Sequence, residues 1–229
     1  MSLFEIDGAA VSVVYEGESR GTFGASSDAS RRIDEHQFTF GEGPCLDAVA
    51  TREAVLAPDL DSPRERRWPA FAGAVLDDGI RGVFAVPIMI TSTCVGALDL
   101  FRAGPGPLQG DQLAGAFLAA DLASRPLLDL LADQSGHSDS TRASAANREE
   151  GDARENRERL TEIDRVEVYQ ATGMLISQLD VDATEALIRL RAYAIATGQT
   201  ASQVATAILE RRLVLDRDDQ GGAGGRSPG

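Results

Sequence analysis

Lysine is missing from this chain: all 22 basic residues are arginine. Cysteine is scarce, with only Cys45 and Cys94, and histidine occurs twice. Their spacing matches no zinc-ligand pattern, so no metal and no cofactor is expected. Aromatic residues make up 5% of the chain, which leaves most of the packing to alanine, valine and leucine. No apolar run reaches the roughly 18 residues that a membrane helix requires. The first ten residues, MSLFEIDGAA, lack the basic start and apolar stretch of a secretory signal. These features predict a cytoplasmic protein with reduced thiols and no membrane association. No catalytic triad, catalytic carboxylate pair or phosphate-binding loop is recognisable, so no enzyme is expected.

What is abundant is negative charge, a net −14. Such a surface repels polyanions at long range. The charge is uneven, however: residues 1–140 carry −11 and residues 161–217 only −2, so the C-terminal part has room for a local basic face.

Patterning divides the chain. Residues 9–15 read as a strand, 16–21 as a turn and 21–25 as a return strand; 26–36 are polar and read as a short helix plus loop. In FGEGPCLDAV, Gly41 and Gly43 mark a bend and Pro44 suits the first position of a short helix. An edge strand follows and ends before Pro58. Trp68, Phe71, Val75 and Leu76 predict an amphipathic helix over 65–78. Residues 81–102 give the clearest hairpin signal, two apolar runs flanking Thr91-Ser92-Thr93. A helix is expected over 108–132, kinked or interrupted at Pro126. Residues 133–158 hold almost no large apolar side chain and predict a flexible linker; 216–229 predict a disordered tail.

Between them, 159–215 predict three helices with distinct punctuation. Asp182 with Glu185, and Thr200 with Gln203, have capping-box spacing, and Gly198 suits a helix C-terminus. Ala186, Leu190 and Ala194, then Val204, Ala205 and Ile208, supply core faces. Ile163, Val166, Met174 and Leu175 are expected to complete the core from the first helix.

The first half resembles a GAF domain, through Gly41–Val49 and through Gly82–Phe101, where Pro87 and Gly96 occupy the family's positions. The resemblance implies a sensor domain over 1–132, an antiparallel sheet flanked by helices, with a small-molecule ligand or a protein partner. Phe84, Met89 and Phe101 are weak candidates for a ligand pocket, set against a purely packing role. Cys45 lies near a helix start, where the dipole lowers a thiol pKa, so it is a candidate redox residue; its alternative is a small buried hydrophobe.

The second half resembles an ANTAR domain of transcription antiterminators. The matching residues are Ala171-Thr172-Gly173, Glu185-Ala186, Leu190–Ala194 and Val204-Ala205. This pairing of domains is similar to actinobacterial regulators. It implies binding of paired RNA hairpins, hence a homodimer, for which the leucine-rich helix at 113–131 is a candidate interface. The candidate RNA-binding residues are Gln170, Ala171, Thr172, Gly173, Arg189, Arg191 and Tyr193. Arg189 and Tyr193 share a helix face and could meet phosphates and unstacked bases. Thr172 stands where many ANTAR domains carry lysine, which predicts modest affinity, with Arg165, Arg211 and Arg212 as compensating charge. The competing readings are a ligand- or redox-sensing protein-interaction module and a helix-turn-helix DNA binder. Against DNA, residues 201–208 are small and apolar where a recognition helix is basic and polar.

Overall fold

The centre of the N-terminal unit is a hairpin of two long strands, β4 (Gly82–Ile90) and β5 (Thr93–Arg102), joined by a tight turn at Thr91 in the left-handed region. β1 (Gly8–Tyr15) pairs with the free side of β5, β2 (Glu18–Ala25) with β1, and short β3 (Val55–Ala57) with β4. All pairings are antiparallel and the order is β2-β1-β5-β4-β3. The computed structural model describes residues 5–15, 18–135 and 165–216. It divides into two compact units, one ending at Arg165 and one beginning at Val166. The linker expected over 133–158 lies outside the described residues apart from its first three positions, which end a helix; the tail lies outside them beyond Asp216.

Strand alternation sorts the side chains onto two faces. Val13, Phe84, Val86, Ile88, Leu98 and Leu100 pack under helix α4 (Gly110–Ser135). The opposite face carries Ala10, Val83 and Phe101 toward α1 (Asp28–Phe40) and α3 (Pro69–Asp77), and Val14 and Ala97 toward α2 (Pro44–Thr51). Gly96 on β5 is paired with Val13 on β1, and an added Cβ would stand 2.0 Å from the Ser12 carbonyl oxygen. Only glycine fits there.

Two expectations need correction. Helix α1 is thirteen residues long, capped by Ser27 and ended by Gly41 in the left-handed region, where a short helix and loop were expected. Helix α4 runs through Pro126 without the interruption that was one of the two expected outcomes there. Position 126 is on the exposed side, where solvent can serve the carbonyl that proline leaves without a backbone donor.

The C-terminal unit is a three-helix bundle: α5 (Val166–Leu179), α6 (Ala183–Thr197) and α7 (Ala201–Leu209). Its core is Val168, Ala171, Leu175, Ala186, Leu190, Ala194, Val204, Ala205 and Ile208. Asp182 caps α6 by accepting from the Glu185 N–H, Gly198 ends that helix, and Thr200 with Gln203 forms a complete capping box on α7. Met174, expected in the core, is instead exposed, and Ile163 lies outside the described residues.

Candidate functional site

The segment Glu42–Asp47 is a junction of helix ends. Gly43, at φ 148°, leaves the space that Gln37 fills; a Cβ there would stand 2.5 Å from Gln37 Oε1. Gly43 offers α2 no side-chain cap, and Gln37 Oε1 takes over that role by accepting from the Cys45 N–H at 2.7 Å. Glu42 reaches across to α3, whose flanking Trp68 supplies no cap, and accepts from the N–H groups of Ala70 and Phe71 at 2.7 and 3.0 Å. A carboxylate there satisfies orphan donors and complements the helix dipole. Asp47 accepts from the Trp68 indole N–H at 3.0 Å.

Beneath this junction lies a buried polar cluster on the α1–α2 face of the sheet. Ser12 (β1), Thr22 (β2), Asp34 and Gln37 (α1) and Asp99 (β5) are all buried. Ser12 and Thr22 donate their hydroxyls to the two oxygens of Asp34, and Gln37 Nε2 donates to Asp99 Oδ2 at 3.0 Å. Asp99 pairs with Ala10 and Ala85 on its neighbouring strands, so small side chains flank it. Asp99 Oδ1 has no hydrogen-bond partner. Burial, and then the charge of Asp34, push the Asp99 carboxyl up to about 8.

Cys45 sits at the edge of this cluster and is buried. Burial first, then Asp99 and Asp34, raise its thiol well above the usual range. The lowered pKa expected from its place near a helix start is therefore corrected: the thiol stays protonated, an unreactive form. Cys94 is half-buried and its pKa is also raised, chiefly by burial. The suggested pocket residues do not converge. Phe84 packs in the α4-side core and Phe101 in the α1–α3-side core, so one cavity cannot be lined by both; Met89 is half-buried. Among the described residues, no group of three or more His, Cys, Asp or Glu side chains could hold a metal ion, and no helix is long and apolar enough to cross a membrane.

In the C-terminal unit the structure separates the seven expected site residues. Ala171 and Thr172 point into the bundle, and the Thr172 hydroxyl is engaged by the Val168 carbonyl at 2.7 Å, so neither side chain offers a contact surface. Gln170 and Gly173 are exposed and line a shallow groove with Met174, Ser177 and Gln178 of α5 and Leu209 of α7. A Cβ on Gly173 would meet nothing within 4 Å. The residue therefore has no packing role inside the bundle, although glycine in a helix interior costs about 1 kcal/mol relative to alanine. Arg189, Arg191 and Tyr193 are half-buried on α6 and are not part of this groove's lining. Arg189 is held by Glu185 one turn earlier at 2.6 Å. Arg165, expected to supplement the basic surface, is buried in the N-terminal unit with its guanidinium 4.3 Å over the Phe38 ring and 3.7 Å from Asp34. Arg211 and Arg212 remain exposed.

The GAF domain family profile matches residues 3–125, more than half of the chain, and the ANTAR domain profile matches residues 156–209. A comparison with curated proteins returns no match. Similar solved structures include the GAF domain of a two-component sensor histidine kinase from Bacillus halodurans, at 14% identity and a TM-score of 0.40, covering 57% of this chain and 88% of that one. The GAF domain of a phosphoenolpyruvate-protein phosphotransferase from Coxiella burnetii aligns at 15% identity and 0.42, covering 57% and 76%. A type II free methionine-R-sulfoxide reductase from Thermoplasma acidophilum aligns at 18% and 0.37, covering 52% and 77%. The chain belongs to the GAF domain family, and its C-terminal helices match the ANTAR domain, an architecture of regulators.

Proposed function

We propose that this chain is a transcription antitermination regulator whose C-terminal bundle binds paired RNA hairpins under control of the GAF sensor, as a cytoplasmic homodimer. One observation carries the reading most: bare helix backbone at Gly173, on the exposed face of α5, within the segment that matches the ANTAR domain. The fold gains nothing from a glycine there, so its use lies outside the fold. Gln170, Ser177 and Gln178 beside it are uncharged hydrogen-bonding groups, and Met174 and Leu209 are apolar. That mixture suits an unstacked loop base, which offers a flat face and polar edges. Arg189, Arg191, Arg211 and Arg212 would then meet phosphates around it, in keeping with the near-neutral charge of this part of the chain. The GAF unit would bias binding through a small-molecule ligand or a partner.

The test is titration of a two-hairpin RNA with the full chain and with Gly173→Leu. The substituted side chain projects into open space, so the melting temperature is expected to hold while RNA affinity falls at least tenfold. Equal affinity for both proteins, or no RNA binding by the unsubstituted chain, refutes the assignment.

A further inference from the structure

Arg165 is the last residue of the N-terminal unit and directly precedes α5. It is 5% exposed, a depth that arginine seldom reaches without partners. Three side chains of α1 hold it. The guanidinium lies 4.3 Å over the Phe38 ring, Nη2 is 3.7 Å from Asp34 Oδ2, and Nη1 is 3.9 Å from Glu35 Oε1. One contact is a cation–π interaction and two are ionic. Neither ionic contact is short enough to be a hydrogen bond. The Asp34 oxygens are already engaged by Ser12 and Thr22, and Arg165 Nε and Nη2 have no hydrogen-bond partner among the described residues.

This combination distinguishes a latch from a staple. Burying a guanidinium costs desolvation, which is best offset when its N–H groups are hydrogen-bonded. Here charge and the ring face carry that cost, so the docked side chain is held by a narrow margin and depends on each of its three partners. Its place in the sequence gives release a consequence. Gln170 and Gly173 follow in the first half of the helix that Arg165 introduces. A phosphate beside them meets a cation at position 165 when the side chain is free and none when it is docked. We infer that Arg165 is a sequestered RNA-contacting cation: α1 withholds it through Asp34, Glu35 and Phe38, and its release adds one phosphate contact, so that the GAF unit sets RNA affinity by holding or freeing a single charge. The consequence for RNA rests on the reading proposed above; the docking of Arg165 does not.

Two measurements on the full chain test it. Docking is read by NMR from the Arg165 Nε–H signal of arginine-labelled protein, assigned by its loss in Arg165→Gln. The ring current of Phe38 is expected to set it upfield of the other arginines, and Glu35→Gln and Asp34→Asn to return it toward them. The second measurement is affinity for a two-hairpin RNA as a function of salt. Glu35→Gln, Asp34→Asn and Phe38→Leu should each bind at least threefold tighter than the parent, with a salt dependence steeper by about one released ion. In the Arg165→Gln background the same three substitutions should leave RNA affinity unchanged, which separates a freed cation from the mere loss of a nearby negative charge. Asp34→Asn disturbs the buried cluster, so Glu35→Gln and Phe38→Leu decide the outcome if that variant unfolds. An Arg165 signal among the ordinary arginines, unchanged affinity in Glu35→Gln and Phe38→Leu, or the same gain without Arg165 overturns the inference and leaves RNA binding in place. Failure of the parent and of every variant to bind RNA removes the RNA reading, and this inference with it.

Discussion

Ser12 Oγ stands 3.3 Å from Asp99 Oδ2 and is shared between that carboxyl and the carboxyl of Asp34. A hydroxyl cannot donate to two carboxylates at once. The two contacts are therefore both favourable only when one of the two carboxyls carries a proton. The raised pKa assigns that proton to Asp99.

This makes stability depend on pH in a defined direction. In the unfolded chain an aspartate titrates near 3.9; in the fold Asp99 titrates at about 8. The folded state thus holds the proton more tightly, and its contribution is complete below about pH 4 and is lost as pH rises through about 8. Urea unfolding of the parent chain should show stability falling between pH 5 and pH 8 relative to Asp99→Asn, by at most about 1.4 kcal/mol per pH unit. Two parallel stability curves would refute the buried-proton assignment.

Gly96→Ala should be among the most damaging single substitutions in the N-terminal unit. The obstacle is backbone, the Ser12 carbonyl oxygen at 2.0 Å from the new Cβ, so no side-chain rotation relieves it. A loss on the order of 3 kcal/mol is expected, by analogy with overpacked cores. Thermal melting measures it; a change within about 0.5 kcal/mol would contradict the strand spacing.

Glu42 caps a helix that is distant from it in sequence. Glu42→Ala removes the acceptor for two N–H groups of α3, and should cost about 1 kcal/mol, the usual loss for a removed N-cap. Glu42→Gln keeps an acceptor oxygen and should cost less. Denaturant titration of the two variants decides, and equal losses would indicate that charge rather than hydrogen bonding holds α3.

On α6, Arg189→Ala breaks only a surface pair with Glu185, worth a few tenths of a kcal/mol. Its stability should barely change, and the same holds for the half-buried Tyr193→Ala to within about 1 kcal/mol. Affinity for a two-hairpin RNA should nevertheless fall, and for Arg189→Ala the dependence of binding on salt should become shallower by about one released ion. Unchanged affinity in both variants would remove α6 from the interface.

Features legible in the sequence were those written in local chemistry. The β4–β5 hairpin, Pro44 at a helix start, the caps at Asp182 and Thr200 and the stop at Gly198 each depend on neighbours a few residues away. The full length of helix α1 was not legible because Ser30, Asp34 and Gln37 break up the inward face beside Ile33 and Phe38, so no apolar stripe runs its length; Ser27 and Gly41 were the available signals for its ends. The polar cluster was hidden for a related reason. Its members come from three strands and a helix and meet only through strand pairing. In the C-terminal unit, Gly173 could be singled out because glycine is costly in a helix, but the inward turn of Ala171 and Thr172 needed the bundle to be seen.

The amide of Gln37 has its two ends claimed by different parts of the unit, nitrogen by β5 through Asp99 and oxygen by α2 through the Cys45 N–H. Turning it over would set donor against donor and acceptor against acceptor, so its orientation is locked. It acts as a rigid tie-rod: a strain introduced at the centre of the sheet is handed directly to the end of a neighbouring helix, with no slack at the joint.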